Sequence, residues 1–116
     1  DAGPLLTPPG VDAAVYPHGV NVEFVARRGA GHVAMRVHER GSGETRSCGT
    51  GACAVALAAA LADGRGVGTG ARGDQRSSYT VDVPGGRLRV RVEPDGRCFL
   101  TGPATLVAEG YWLAGR

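Results

Sequence analysis

An alanine-rich apolar run, residues 52–62, constrains the fold of this chain more than any other feature. Alanine and leucine have high helix propensities and nothing in the run interrupts a helix, so the sequence predicts a helix over about residues 50–63. Asp63 and Gly64 follow the run and mark the end of the helix. Because the run has no polar face, we expect the helix to be buried on all sides, at the centre of the fold.

Short stretches of alternating polar and apolar residues lie on both sides of this helix. The stretches at residues 21–27 and 32–38, with the Arg28–Gly31 turn between them, predict a hairpin. After the helix, further strands are predicted at residues 78–83, 88–92, 98–101 and 104–109. Short connections favour antiparallel pairing. The sequence therefore predicts an α+β fold, with a curved, mostly antiparallel sheet wrapped around one central apolar helix.

The 116 residues are enough for one domain. Residues 1–19 contain four prolines and little periodicity, so they predict an extended leading segment or linker, and residues 20–116 predict the folded domain. Glycine-rich residues 64–73 predict a flexible loop. Tyr111 and Trp112 are expected to cover the core or an interface. The chain begins at Asp1 rather than at methionine, which suggests a fragment or a processed product.

Charge and cysteine content exclude several classes of protein. The net charge is +2, from 13 basic and 11 acidic residues spread along the chain, which does not indicate a nucleic-acid-binding surface. No apolar run reaches the roughly 18 residues that a membrane span needs, so we expect no membrane association. The three cysteines, an odd number, favour a reducing, cytoplasmic location.

Cys48 lies in a glycine-rich turn directly before the predicted helix. The N-terminus of a helix favours the thiolate form of a cysteine. The adjoining backbone N–H groups of Gly49, Thr50 and Gly51 have no intrahelical partner and are available to an anion. The alternative is a structural cysteine that fills the turn. Cys53, within the apolar run, is predicted to be a buried, inert thiol, and the cysteine spacing does not match a zinc site.

The G-x-G-x-x-A pattern at residues 49–54 also occurs in dinucleotide-binding proteins. That pattern is informative only directly after an apolar strand and within a strand–helix–strand unit. Here polar and glycine residues separate it from the preceding strand, and a meander is predicted to follow the helix. The sequence therefore does not favour a nucleotide site.

Two adjacent charges follow the second predicted strand. Arg40 is suited to bidentate hydrogen bonding with a carboxylate, and Glu39 is suited to binding an ammonium group. Together they fit a zwitterionic amino-acid ligand. Asn21, at the start of the first predicted strand, offers both a donor and an acceptor. The alternatives are a solvated strand edge for the charged pair and a turn residue for the asparagine.

Two segments resemble the C-terminal half of the diaminopimelate epimerase family. They are N-V-E-F-V at residues 21–25 and residues 35–54, which include E-R-G-S-G-E-T-R-S-C-G-T-G-A. V-P-G-G at residues 83–86 and L-T-G-P-A at residues 100–104 are similar as well, so the resemblance covers nearly the whole chain. It implies a fold of two similar α+β halves, each a sheet around a helix, with the substrate between them.

The resemblance also implies an activity. The family inverts one α-carbon of LL-diaminopimelate to give the meso isomer, and it uses no pyridoxal phosphate, metal or other cofactor. One cysteine from each half faces the α-carbon, and the two exchange its proton. Mapped onto this chain, the implied site consists of a catalytic cysteine, two carboxylate-binding residues, two residues for other polar groups and one for the distal end of the substrate: Cys48, Gly49 and Thr50, Glu39 and Arg40, and Asn21.

We find no counterpart of the family's N-terminal half in this sequence. The opposing cysteine is therefore expected to come from that missing half, and the 116 residues alone are expected to be inactive. Two alternatives stay open: a related racemase or isomerase of the same fold, and a non-catalytic carboxylate-binding half. An isolated half also exposes the face that meets its partner, which makes a homodimer possible.

Overall fold

The computed structural model describes residues 2–65 and 76–115, and these residues form six strands and one helix. The predicted α+β fold is confirmed. In chain order the elements are β1 (Val22–Gly29), β2 (His32–Glu39), β3 (Gly43–Thr45), α1 (Gly49–Ala62), β4 (Ser77–Val83), β5 (Gly86–Val92) and β6 (Cys98–Thr101).

All six strands belong to one sheet, in the order β1-β2-β4-β5-β6, with β3 paired to the end of β2. Four of the pairings are antiparallel, as predicted. The pairing of β2 with β4 is parallel, with His32 opposite Thr80. Parallel neighbours need a long crossover, and α1 lies within this one. A strand–helix–strand unit is therefore present, which the expected meander did not include.

The core lies between α1 and one face of the sheet. Alternate residues of β2, β4 and β5 point towards the helix, as the period of two requires. The buried set on the sheet consists of Val33, Met35, Val37, Tyr79, Val81, Val90 and Val92, and on the helix of Ala52, Val55, Ala56, Ala59 and Ala60. Small helical side chains let the sheet approach the helix closely.

The end of α1 has the backbone hydrogen bonds of a Schellman motif. Arg65 N–H donates to Ala60 C=O at 2.9 Å, and Gly64 adopts a φ of 69°, in the left-handed region that favours glycine. The Asp63–Gly64 stop is thus confirmed. No helix within the described residues is long and apolar enough to cross a membrane.

The expectation that α1 is buried on all sides is wrong. Ala54, Ala58 and Leu61 are exposed, Leu61 to 54%. The sheet covers only part of the circumference of the helix, so one apolar stripe has no cover from the described residues. Composition alone cannot show this, because it reports polarity and not how far the sheet extends around the helix.

The strand predicted near the C-terminus is also wrong. Residues 104–109 form no strand, and Leu106 and Val107 are 85% and 89% exposed. A strand needs a neighbour to bond its backbone, and no described strand flanks this segment. Tyr111 and Trp112 are almost fully exposed, so neither covers the core described here. In contrast, β3 is a strand that the glycine-rich sequence did not predict. The loop predicted at residues 64–73 lies largely outside the described residues.

The leading segment packs against the sheet face opposite α1. Arg36 Nη1 donates to Gly3 C=O at 2.7 Å, and Leu5 is only 7% exposed. Leu5 also borders a pocket with Thr45 and Pro84. The residues predicted as an extended segment or linker therefore contribute contacts of their own.

Candidate active site

Cys48 is the N-cap of α1. Its backbone is extended, with φ −136° and ψ 111°, and Gly51 N–H donates to its Sγ atom at 3.4 Å. Thr50 Oγ1 also lies 3.4 Å from Cys48 Sγ. Cys48 is buried, with 8% of its surface exposed. The expected position of this thiol at the start of the helix is confirmed. None of the residues in the first turn of α1 is acidic, so the helix itself places no negative charge at the positive end of its dipole.

The first backbone N–H groups of α1 divide into two kinds. Gly51 N–H donates a hydrogen bond to Cys48 Sγ, and Ala52 N–H donates one to Cys48 C=O at 2.9 Å. No hydrogen bond among the described residues uses the N–H groups of Gly49 or Thr50. The two amides that follow the thiol are therefore the ones available to an anion.

The glycines of the turn allow close approach of other side chains. A methyl group on Gly49 would lie 3.1 Å from Leu100 Cδ2 of β6. A methyl group on Gly51 would lie 2.6 Å from Glu23 Oε1 of β1 and 3.3 Å from Cys48 Sγ. These glycines bring the start of the helix against two strands, and they leave the thiol beside a carboxylate.

Three of the predicted site residues, Asn21, Arg40 and Thr50, border one open pocket of about 370 Å³ beside the start of α1. The same pocket is lined by Glu23 and by Gly19, Val20, Gly51 and Ala54. The fold thus brings together residues that are up to 35 positions apart in the sequence, at one end of β1, β2 and α1.

Arg40 is held by one contact through its backbone and one through its side chain. Its N–H donates to Asn21 Oδ1 at 2.9 Å, and its Nη1 lies 3.5 Å from His18 C=O. Gly19 has a φ of 76°, and a methyl group there would lie 3.2 Å from Arg40 Cγ. The glycine therefore lets the arginine stem pass close to the chain before β1.

Glu39 takes a different position from Arg40. Its Oε1 accepts a hydrogen bond from Thr45 Oγ1 at 2.5 Å, and it does not line the pocket that contains Arg40. The side chain is held by β3, the strand that sequence reasoning missed. In this structure Glu39 supports the turn before Cys48.

Sequence reasoning also missed Glu23. Its position in N-V-E-F-V could have revealed it, because strand alternation puts Glu23, Val25 and Arg27 on one face of β1. All three border the groove between β1 and α1. A carboxylate on the helix-facing side of a strand is unusual enough to indicate a function.

Cys53 and Cys98 lie apart from this pocket, next to each other. Cys98 Sγ is 4.0 Å from Cys53 C=O. Burial, and then the neighbouring Cys98, raise the pKa of the Cys53 thiol, so it is a poor base or nucleophile. All three cysteines are free thiols. In residues 2–65 and 76–115, no three His, Cys, Asp or Glu side chains are grouped to hold a metal ion.

This chain is similar to known proteins along most of its length. The family model described as diaminopimelate epimerase matches residues 7–107. A protein of that name from Streptomyces coelicolor is 60% identical over 119 aligned positions, which cover 98% of this chain and 40% of that protein. The Mycobacterium avium and Rhodococcus jostii proteins of the same name are 52% and 49% identical, over 91% of this chain and 33% of each relative. This chain therefore spans well under half the length of these relatives, and it belongs to the diaminopimelate epimerase family.

Proposed function

We propose that this chain supplies one half of the active site of a diaminopimelate epimerase, which interconverts LL- and meso-diaminopimelate. The observation that carries the proposal is the placement of Cys48 Sγ at the N-cap of α1, directly beside the unused amides of Gly49 and Thr50. A base next to an anion site is the arrangement that removal of an α-proton from an amino acid requires.

The chemistry of that proton explains the arrangement. The α-proton of an amino acid is a very weak acid, so its removal needs stabilisation of the charge that develops next to the carboxylate. Helix N-terminal amides supply fixed dipoles at that position. As the C–H bond breaks, the Cys48 thiolate takes the proton and becomes a thiol, while the electron pair remains on the α-carbon. A thiol on the opposite face then delivers a proton to that carbon. These steps need no cofactor.

The other predicted residues bind the substrate in this proposal. Gly49 and Thr50 hold the α-carboxylate, and Asn21 and Arg40 bind polar groups in the pocket that they border. Glu39 accepts a hydrogen bond from Thr45 and so supports the glycine-rich turn. Its negative charge also contributes to the electrostatics of the site. Arg40 is suited to the distal carboxylate, since guanidinium groups bind carboxylates in pairs of hydrogen bonds.

The second thiol is proposed to come from outside this chain. Inversion needs a proton donor on the face opposite Cys48, and Cys53 lies beside Cys98 with a raised pKa. The relatives extend over more than twice the length matched here, which leaves room for a second half. We propose that residues 20–116 act as the C-terminal domain, that the other half of the enzyme is its partner, and that the protein is cytoplasmic. We also propose that the isolated chain does not epimerise diaminopimelate.

Alkylation of the three thiols tests the role of Cys48. Cys48 is more buried than the other two, so absolute rates mix access with ionisation. The ratio of the iodoacetamide rate near pH 6 to that near pH 9 removes the access factor for each thiol. We expect this ratio, read by peptide mass spectrometry, to be highest for Cys48 and lowest for Cys53. Cys48→Ser identifies the labelled peptide. Equal ratios at all three positions contradict the proposal.

The burial of Cys48 favours one second candidate, a non-catalytic carboxylate-binding half. That candidate predicts no preferred ionisation at Cys48, so the same labelling separates the two. The predicted inactivity has its own measurement, in which the α-proton signal of diaminopimelate is followed by NMR in D₂O with the isolated chain. Loss of that signal shows that these residues suffice, against the proposal.

The exposed stripe of α1 provides a surface for the partner half or for a second copy. Ala54, Ala58 and Leu61 form it, and Leu61 is 54% exposed. Removal of such a stripe from water stabilises association. Light scattering over a range of concentrations measures whether the isolated chain forms a homodimer, and Leu61→Asp should shift it towards the monomer.

A further inference from the structure

Within residues 2–65 and 76–115, Glu23 is the one carboxylate that borders the pocket shared by Asn21, Arg40 and Thr50. It projects from β1 towards the first turn of α1, where its Oε1 lies against Gly51. Cys48 Sγ lies on the same side of this glycine, since a methyl group on Gly51 would be 2.6 Å from Glu23 Oε1 and 3.3 Å from Cys48 Sγ. Glu23 therefore faces the position where a ligand held by the helix amides meets the thiol.

The charge of Glu23 has no partner among the described residues. Arg27, on the same face of β1, pairs instead with Asp63 at 2.8 Å. Arg40 borders the same pocket, but its guanidinium lies near His18 C=O and forms no ion pair with Glu23. A half-buried carboxylate without a counter-charge is costly, and a cation that enters the pocket relieves that cost.

The geometry points to Glu23 as a substrate-binding residue that receives the ammonium group of the amino-acid head whose carboxylate is held at Gly49 and Thr50. This inference rests on the proposed function. In an amino acid the ammonium and carboxylate share one carbon, so their binding groups must be neighbours. Gly51 directly follows Thr50, and Glu23 touches it. The adjacent charges in the sequence suggested Glu39 for the ammonium group, but the carboxylate of Glu39 accepts a hydrogen bond from Thr45 and lies outside the pocket.

Two ligands separate ammonium recognition from carboxylate recognition. Diaminopimelate carries two ammonium groups, and pimelate has the same carbon chain and carboxylates without them. NMR titration of the 116-residue chain, followed at the amides of Asn21, Thr50 and Gly51, measures both dissociation constants. We expect the wild-type chain to bind diaminopimelate about tenfold more tightly than pimelate, since a hydrogen bond to a charged group is worth about one such factor.

Four variants test the assignment. Glu23→Gln keeps the shape and removes the charge, so the preference for diaminopimelate should disappear while pimelate binding stays equal or improves. Glu23→Asp should keep part of the preference. Gly51→Ala keeps the charge but places a methyl group 2.6 Å from Oε1, so it should displace the carboxylate and reduce the preference. Alanine is a better helix former than glycine, so we expect α1 to be retained, and circular dichroism of this variant measures that. Glu109→Gln, at an exposed position, is the charge-matched control.

Several results overturn the inference. These are equal binding of both ligands by the wild-type chain, an unchanged preference in Glu23→Gln, or no shift at these amides with either ligand at tens of millimolar. The labelling ratio of Cys48 is read separately. A high ratio with an unchanged preference in Glu23→Gln rejects this inference and leaves the proposed function standing. Loss of the preference with equal ratios at all three thiols rejects the proposed function and retains an ammonium site at Glu23.

Discussion

Asn21 Oδ1 accepts a hydrogen bond from Arg40 N–H at 2.9 Å and so joins the residue before β1 to the residue after β2. The bond lies beyond the last pair of the β1–β2 ladder, Val22 with His38. It extends the pairing by one step with a side chain in place of a backbone carbonyl. The position of Arg40 in the candidate pocket therefore depends on the residue type at position 21.

We expect Asn21→Ala to destabilise the chain by about 1 kcal/mol, because the bond is exposed and water replaces part of it. Asn21→Asp keeps an oxygen acceptor at the same place and should retain most of the stability. Urea unfolding followed by circular dichroism measures both. An equal loss in the two variants would show that the hydrogen bond is not the cause.

The contribution of the leading segment is tested by two adjacent leucines. Leu5 is 7% exposed and Leu6 is 86% exposed. Leu5→Ala should cost about 2 kcal/mol of unfolding free energy, since it removes buried methyl groups and leaves a cavity. Leu6→Ala should be neutral within measurement error. If both variants unfold like the wild type, residues 2–6 do not pack on the sheet in solution.

The β1–β2 turn contains a pair of glycines with different requirements. Gly31 has a φ of 64°, and a methyl group there would lie 3.2 Å from Ser78 C=O. Gly29 lacks a positive φ and has open space around it. We expect Gly31→Ala to cost at least about 1–2 kcal/mol from the left-handed backbone alone. Gly29→Ala should be neutral or slightly stabilising, because alanine restricts the unfolded chain. Thermal and urea unfolding of both variants provide the comparison.

Acid stability should depend on the cluster that joins β2, β4 and β5. Hydrogen bonds from Arg87, and then from His32, lower the pKa of Asp82 to about 2. Because this lies below the unfolded value of about 3.9, the stability that Asp82 contributes is complete above about pH 4 and is lost as the pH falls towards 2.

We therefore expect Asp82→Asn to be less stable than the wild type at neutral pH, with the two curves converging near pH 2. Unfolding free energies from urea titrations across this range give both curves. Asp12→Asn, at an exposed position outside the cluster, should run parallel to the wild type. A constant difference between Asp82→Asn and the wild type at every pH contradicts the linkage.

Several features were predictable because they depend on neighbours in sequence. The helix, its start at Cys48 and its stop at Asp63–Gly64 follow from propensity and capping. The strands at β1, β2, β4, β5 and β6 follow from alternation and turn residues. The family resemblance predicted that Asn21, Arg40 and Thr50 belong to one site. In the structure these three residues border one pocket.

Other features depend on partners far along the chain. The segment at residues 104–109 contains residues that favour strands, but no described strand lies beside it. The short strand β3 has the wrong composition but finds β2 beside it. Pairing decides both cases, because a strand exists only when its backbone groups are bonded by another strand.

Local sequence thus accounts for the central helix, the thiol at its N-cap and the unused amides that follow it, since these depend on groups within one helical turn. Tertiary packing accounts for the parallel pairing of β2 with β4 and for the uncovered stripe of α1. It also accounts for the approach of Glu23 to Gly51 and Cys48. These arise where the curved sheet brings β1 against the helix, and the distance between residues 23 and 51 along the chain contains no information about that contact.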